Sequence, residues 1–264
     1  MTTTTFYFNS LRNETLKLKH TFALWLTAIC ALLIPLLFFI VYMVKWEKLI
    51  PAEGINPWNK FANEQIMNSL PALVPLFIVL ITSLIIQVEH KATAIKHLFA
   101  LPIPKWSVYF GKLSIIIAAV FATYAMYYGL ILLNGNVLGG MRPQLNFSEF
   151  SPEYVFHIKI LFRSFVSVLG ILAIQFWLSF RFKNFIIPLG IGMVLVIVGL
   201  IAARAPESIY FPYSYSMISM NPLDEKTSDL SLFWWFPTVS WYSLGYFLVF
   251  AIAGFFDIKR MNVK

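Results

Sequence analysis

The chain has 264 residues, of which 59% are hydrophobic and only 12% are charged. A soluble domain carries about 25% charged residues, so this composition excludes a soluble globular protein and indicates a membrane protein. The net charge of +8 is accordingly interpreted as a signal of membrane orientation and not of nucleic-acid binding. No segment is both long and polar enough for a separate catalytic domain, so residues 1–264 are predicted to form a single transmembrane domain.

The chain begins with a short amphipathic segment at residues 6–20, ahead of the first apolar run. Its basic residues Arg12, Lys17 and Lys19 are interspersed with apolar side chains such as Phe8. A helix of this kind lies in the headgroup layer with its cations toward anionic lipid. We therefore predict an amphipathic N-terminal helix that contacts membrane lipid.

Six apolar runs follow, each long enough to cross a bilayer as a helix of about 20 residues. The predicted spans are 22–44, 70–88, 110–133, 155–180, 184–203 and 240–256. The fold class is therefore all-α, a polytopic membrane protein with six transmembrane helices. Pro35, Pro75 and Pro188 fall inside these spans, where we expect either packing kinks or hinges.

The basic residues are divided unequally between the two sides that six spans define. The side with both termini carries 12 of the 20 basic residues and only three acids, Glu14, Glu89 and Asp257. Because positively charged connections stay in the cytoplasm, both termini are predicted to be cytoplasmic, in a protein of the cytoplasmic (inner) membrane. The largest outer connection is residues 204–239, and its aromatic cluster Leu232–Phe236 is either an interface anchor or a re-entrant, lid-like element.

The spans contain almost none of the ionisable and nucleophilic groups that chemistry inside a membrane requires, the exceptions including Lys159 and Arg163 in the first turns of the fourth. The sequence has no zinc-binding His-Glu-x-x-His pattern, no Gly-x-Ser-x-Gly elbow and no phosphate-binding Gly-x-x-x-x-Gly-Lys-Ser/Thr loop. No predicted span has a carboxylate at its centre, which disfavours a carrier driven by ions. We therefore expect no enzyme activity and no bound cofactor, and uphill transport must draw its energy from a partner.

The most informative predicted cytoplasmic stretch is residues 89–106, between the second and third spans. It opens with a charged cluster, continues with an apolar stripe at helical spacing and ends at Leu101-Pro102-Ile103-Pro104. Each proline disfavours helix in the residue before it. Such a rod can convert a push from a partner into tilting of the spans. The alternative is a surface helix that rests against the headgroups.

In these features the chain resembles the permease subunits of type-2 ATP-binding-cassette (ABC) exporters, most closely the bacitracin-export and lantibiotic-immunity branch. Six spans with both ends inside match that family over nearly the full length. The short matching motifs are Glu14 with Leu16-Lys17-Leu18-Lys19, Glu89, the run from Leu101-Pro102-Ile103-Pro104-Lys105 to Gly111-Lys112, and the ending Phe255-Phe256-Asp257-Ile258-Lys259-Arg260.

The resemblance implies a non-catalytic half-transporter that pairs with a second permease chain, identical or paralogous. Two ABC ATPase subunits would hold the ATP and magnesium and drive export of an amphipathic substrate, either a peptide antibiotic or a lipid-like molecule. Residues 6–20 would be a connecting helix, with Glu14, Lys17 and Lys19. Residues 89–106 would be the coupling helix that docks on the ATPase. Its contact residues would be Glu89, His90, Lys91, Ile95, Leu98, Phe99, Leu101, Pro102 and Lys105.

A second reading of the same architecture stays open. The chain would then be a structural or regulatory membrane anchor of a larger envelope complex, without net transport.

Overall fold

The computed structural model describes residues 3–19, 21–91, 104–220 and 236–260, with all side chains except those of residues 3–4 and 88–91. These residues form helices and short connections and contain no β-strand, which confirms the all-α prediction for this part of the chain. The α-helices found there are α1 (Thr3–Leu18), α2 (Phe22–Val44), α3 (Pro57–Lys91), α4 (Lys105–Met141), α5 (Tyr154–Arg181), α6 (Ile186–Ala202), α7 (Tyr215–Ile218) and α8 (Thr238–Arg260).

Five of these helices are long and apolar enough to cross a membrane, namely α2, α3, α4, α5 and α8. They correspond to the first four predicted spans and the last. The span predicted at 184–203 is the apolar helix α6, whose 17 residues are fewer than the roughly 20 that a span usually needs. The protein is thus a multi-pass membrane protein, and the count of six spans stays a prediction.

The helices α3 and α4 extend well beyond the spans predicted at 70–88 and 110–133. Polar residues such as Gln65 interrupt the apolar run of α3, but the helix continues past them. Gln65 is accommodated there because it is fully buried and its side chain donates to the carbonyl of Phe61. The glycines near the end of α4 have a packing role. A Cβ at Gly135 would lie 2.3 Å from the ring of Trp58, so this glycine makes room for an indole from α3.

The bundle is organised around α5, the most deeply buried of the five long apolar helices, whereas α2 is the most exposed. Helix α8 packs along α5, and α2 packs along α4. The exposed side chains of α2, which include Trp25, Leu33 and Leu37, are apolar, as expected for a helix that faces lipid.

Two ends of the bundle can be defined by their contacts. The α1 end holds α1, the start of α4 at Lys105 and the last turn of α8, because Tyr109 of α4 lies against Gly254 of α8. The far end holds the start of α3, where the indole Nε1 of Trp58 donates to the carbonyls of Phe147 and Phe150 at 3.0 and 3.1 Å.

Polar side chains from neighbouring helices reach the carbonyl oxygens of three of the helical prolines. Helix α2 continues through Pro35 and α6 through Pro188, and Pro75 lies inside α3, as predicted. The three carbonyls that accept such bonds are those of Pro35 from Asn134 at 2.9 Å, Pro188 from Gln175 at 2.6 Å, and Pro71 from Ser216 at 2.9 Å.

The described part of the connection predicted at 204–239 folds back onto the bundle. It contains 3₁₀ turns at Pro206–Tyr210 and Pro212–Ser214, followed by α7. Its polypeptide crosses α6 at Gly199, where a Cβ would lie 2.4 Å from the carbonyl oxygen of Tyr213. The Tyr213 hydroxyl donates to the side chain of Gln175 at 3.2 Å. Of the predicted aromatic cluster, residues 232–235 lie outside the described residues.

Candidate functional site

Helix α1 lies against the first turns of α4. The Ser107 hydroxyl donates to the carbonyl of Phe6 at 2.7 Å, and the hydroxyls of Tyr7 and Ser114 share a hydrogen bond of 2.7 Å. The ring of Tyr7 also stacks on that of Trp106, with centroids 6.4 Å apart and planes 12° apart. The amphipathic segment is therefore a helix as predicted, and one of its faces is docked on protein.

Close approach of the two helices depends on a glycine. A Cβ added at Gly111 would lie 2.7 Å from the Ser10 hydroxyl, and both residues are buried. A larger residue here would force the Ser10 hydroxyl to move and would press on its Cβ, which lies at 3.3 Å. Gly111 was part of a short motif in the sequence. In the structure, it is the position at which α1 comes close to α4.

A buried ion pair fastens the same joint. Glu14 of α1 is 5% exposed and Lys112 of α4 is 1% exposed, and their Oε2 and Nζ atoms are 2.5 Å apart. The other carboxylate oxygen of Glu14 lies 2.8 Å from Nζ of Lys17 on the next turn. Removal of one charge from a buried pair leaves its partner in a low-dielectric setting, at a cost of about 3–5 kcal/mol. The pair therefore favours the helix arrangement that keeps both charges together. We call this contact between α1 and α4 the latch.

The predicted connecting-helix residues thus have unequal roles in the structure. Glu14 and Lys17 form ion pairs, whereas Lys19 is exposed just past the end of α1. Sequence reasoning placed Glu14 and Lys112 in separate motifs and did not pair them. Their opposite charge was the one available signal, and it does not single out Lys112 among the basic residues.

The predicted coupling segment borders the latch directly. Its first residues, Glu89, His90 and Lys91, form the last turn of α3, and their side chains are outside the described set. Lys105 opens α4. The predicted contact residues Ile95, Leu98, Phe99, Leu101 and Pro102 lie outside the described residues. Whatever these residues contact, the chain that leaves them enters α4 at the turns that carry the latch.

A second contact at the α1 end joins α4, α5 and α8, and we call it the clasp. Asp257 accepts a hydrogen bond from the indole Nε1 of Trp177 at 3.1 Å and lies 3.6 Å from the guanidinium of Arg181. One turn earlier on α8, a Cβ at Gly254 would lie 2.6 Å from the hydroxyl of Tyr109. The sequence marked Asp257 as part of a motif but not Trp177 or Tyr109, which read as ordinary aromatic residues.

Aromatic packing makes the clasp stiff. The ring of Tyr109 lies 5.9 and 5.7 Å from the tilted rings of Phe180 and Phe255. It also lies 5.1 Å from each of the rings of Phe110 and Phe176, and these two pairs are edge-to-face. Such edge-to-face pairs each add about 0.5–1.5 kcal/mol beyond burial. The start of α4 and the ends of α5 and α8 therefore form one packed unit.

The arrangement of these contacts supports mechanical linkage between helices. Within residues 3–19, 21–91, 104–220 and 236–260, no group of three or more His, Cys, Asp or Glu side chains lies together as a metal site would require. The polar contacts of the latch and clasp are interhelical, and each joins a span to another helix.

Comparison with known proteins identifies one family. Residues 10–199 match the sequence profile of a family described as "ABC-2 family transporter protein". The matched range is more than half of the chain and includes the latch residues Glu14 and Lys112, but it ends before α8. Among curated proteins, and likewise among solved structures, none matches the chain.

Proposed function

The chain belongs to the ABC-2 family of transporter proteins, and from this membership we propose that it is the permease subunit of an ATP-driven exporter. A separate ATPase subunit hydrolyses ATP, and this chain uses the resulting movement to export an amphipathic substrate. The sequence motifs favour the bacitracin-export and lantibiotic-immunity branch, with a peptide antibiotic or a lipid-like molecule as cargo. The predicted spans hold only three charged side chains, Lys112, Lys159 and Arg163, and this scarcity of charge supports such a cargo over a small hydrophilic ion.

The observation that carries the proposal is the latch beside the predicted coupling segment. Residues 89–106 connect the end of α3 to the start of α4, so a force on them acts first on those two helices. The Glu14–Lys112 pair and the close contact at Gly111 bind α1 to α4, and α1 therefore moves with α4. A push at the coupling segment is in this way delivered to a rigid pair of helices.

The clasp extends the same movement to the rest of the bundle. Tyr109 of α4 packs against α8 at Gly254, and Asp257 of α8 holds Trp177 and Arg181 of α5. Tilting of α4 therefore displaces α5 and α8 at the same end. Packed interfaces favour a discrete rearrangement over continuous deformation, which suits the alternating access of an exporter.

The remaining assignments follow the same proposal. The chain is non-catalytic and binds no nucleotide, and the ATP and magnesium are held by the ABC ATPase partner. A second permease chain, identical or paralogous, completes the pathway. The protein lies in the cytoplasmic (inner) membrane with both termini in the cytoplasm, and the basic residues of α1 contact anionic lipid.

Reconstitution with the ABC ATPase that the proposal pairs with this chain tests the function. We expect the two proteins to co-purify, and we expect vesicles that contain both to move a fluorescent peptide antibiotic or lipid across the bilayer only with ATP. Glu89→Ala and Leu98→Ala should lower the ATPase activity of the complex and its transport. A matched control is Glu53→Ala, an exposed acid on a loop near the far end.

The outcome separates the candidate functions. A stable complex that hydrolyses ATP but moves neither class of substrate would support the structural or regulatory anchor. Unchanged assembly and ATPase activity in both coupling variants would refute the assigned coupling role of residues 89–106.

A further inference from the structure

The hydroxyl of Ser243 occupies an unusual position between two helices. Ser243 lies on α8, is fully buried, and faces α5. Its Oγ accepts a hydrogen bond from the backbone N–H of Gly170 at 2.9 Å and donates one to the carbonyl of Val166 at 2.8 Å. In an α-helix the N–H of residue i bonds to the carbonyl of residue i−4, so these two groups are each other's ordinary partners. Ser243 therefore bonds to both backbone groups of one rung of the hydrogen-bond ladder of α5.

The neighbouring contact on the same pair of helices is different. One turn earlier, the hydroxyls of Ser240 and Ser167 bond to each other at 2.7 Å, and no backbone group takes part. Both serines of α8 are fully buried and face α5. The chain thus provides a matched pair of serines on α8. Ser240 bonds to a side chain of α5, and Ser243 bonds to the backbone of α5.

Gly170 makes the insertion possible. A Cβ there would lie 3.2 Å from both the hydroxyl and the carbonyl oxygen of Ser243 and from Cβ of Tyr246. Insertion of a side chain into the ladder is one of the recognised causes of a bend in a helix. The exchange between the serine bonds and the direct Gly170–Val166 bond also costs little free energy in either direction. If Ser243 withdraws, Gly170 can bond directly to Val166, and the serine can bond to a carbonyl on the preceding turn of its own helix.

From this geometry we propose that Ser243 takes the place of the direct Val166–Gly170 hydrogen bond and that α5 has a hinge at this point. The proposed hinge has two arrangements, one with Ser243 bonded to α5 and one with Ser243 withdrawn, and nearly all polar groups are satisfied in each, which is the requirement for a bistable element. Ser243 is a positioning residue in this scheme, since it acts through the backbone of α5.

The two halves of α5 contact their neighbours at different levels of the bundle, so a hinge between them has a consequence. Before the hinge, Glu153 at the head of α5 accepts a bond from Asn59 of α3 at 2.8 Å, and Ser164 bonds to Tyr124 of α4 at 2.8 Å. After the hinge, the clasp attaches Trp177 to α8, and Gln175 donates to the Pro188 carbonyl of α6. A stroke delivered at the α1 end then tilts the second half of α5 through the clasp, while the contacts of Glu153 and Ser164, which lie away from that end, hold the first half. This consequence rests on the proposed function, whereas the hinge itself does not.

Distance measurement across the hinge tests the proposal directly. Spin labels on Val155→Cys and Lys183→Cys, both exposed positions on opposite sides of the hinge, are introduced into a Cys30→Ala chain in lipid nanodiscs. Pulsed electron resonance then gives the distance distribution. We expect Ser243→Ala to lengthen and narrow this distribution, because α5 recovers its own hydrogen bond and straightens. Ser240→Ala should leave the distribution unchanged.

Transport by the complex with its ATPase provides a separate readout. Ser243→Ala removes two interhelical hydrogen bonds and should slow export about five- to tenfold, whereas Ser240→Ala should stay within about twofold. If Ser243→Ala does not fold, Gly170→Ala replaces it, since its methyl group displaces the serine and should give the same change in distances.

The two proposals fail in different ways. Distance distributions that coincide for the wild type, the hinge variant and Ser240→Ala would overturn the hinge. A wild-type complex that hydrolyses ATP without export would overturn the transport function, and the distances would still decide the hinge.

Discussion

The latch predicts an asymmetry between its two charged residues. Glu14 is the carboxylate shared by two lysines, with Lys112 at 2.5 Å and Lys17 at 2.8 Å. Glu14→Gln removes both ion pairs and takes a partner away from a lysine that is 1% exposed, so it should lower the free energy of unfolding by about 3 kcal/mol. Lys112→Met keeps the Lys17 contact and should cost only about 1–2 kcal/mol. The double variant should cost less than the sum, with a coupling energy of at least about 1 kcal/mol.

The measurement is a double-mutant cycle by detergent titration of the purified chain, with loss of helical circular dichroism as the signal. Lys17→Ala is the control, because its side chain is 42% exposed and a surface ion pair contributes at most about 1 kcal/mol. Equal costs for Glu14→Gln and Lys112→Met, or full additivity in the double variant, would refute the view that a shared buried carboxylate fastens α1 to α4. In the complex with the ATPase, Glu14→Gln and Lys112→Met should leave assembly and ATP hydrolysis intact and lower the transport that each hydrolysed ATP supports.

Three further variants test other contacts. Gly111→Ala should destabilise the protein by about 1–3 kcal/mol, because its methyl group meets the Ser10 hydroxyl at 2.7 Å. Gly129→Ala, with nothing within 4 Å of the added carbon, should be neutral or stabilising in the same titration, and equal losses would contradict this reasoning. Trp58→Phe loses two hydrogen bonds to backbone carbonyls and should raise amide exchange across residues 57–69, with no change expected near α1. Asp257→Asn weakens only a half-exposed ion pair and should cost less than about 1 kcal/mol in the titration, so a larger loss would reveal a buried charge network at the clasp.

The positions of the apolar helices could be predicted well from the chain alone. The first span, 22–44, coincides with α2, and the fourth, 155–180, lies within one residue of α5 at each end. Hydropathy is a local property, and in a bilayer a backbone must find its hydrogen-bond partners within the protein, nearly all of which a helix supplies itself. An apolar run of sufficient length therefore specifies a helix with little help from its surroundings.

The ends of α3 and α4 could not be predicted in this way. Gln65 reads as the polar edge of a span, and Gly135 and Gly139 read as a connection. In the structure the glutamine is buried inside α3, and the two glycines lie in α4 against Trp58 and against Phe147 with Ser148. Glycine and glutamine are common both in loops and at tight contacts between helices. The two cases differ in whether a side chain such as that of Trp58 packs against the position, and the sequence does not show this.

The sequence by itself determined that this chain is an all-helical membrane protein, and its motifs and profile indicate the ABC-2 family. Only the tertiary structure decided which residues meet. Glu14 and Lys112 are 98 positions apart, and Ser243 lies 77 positions from the carbonyl it bonds. Hydropathy sums over neighbours along the chain, whereas an ion pair or an inserted hydroxyl depends on how whole helices are oriented against each other. That orientation is set by the packing of all of them together.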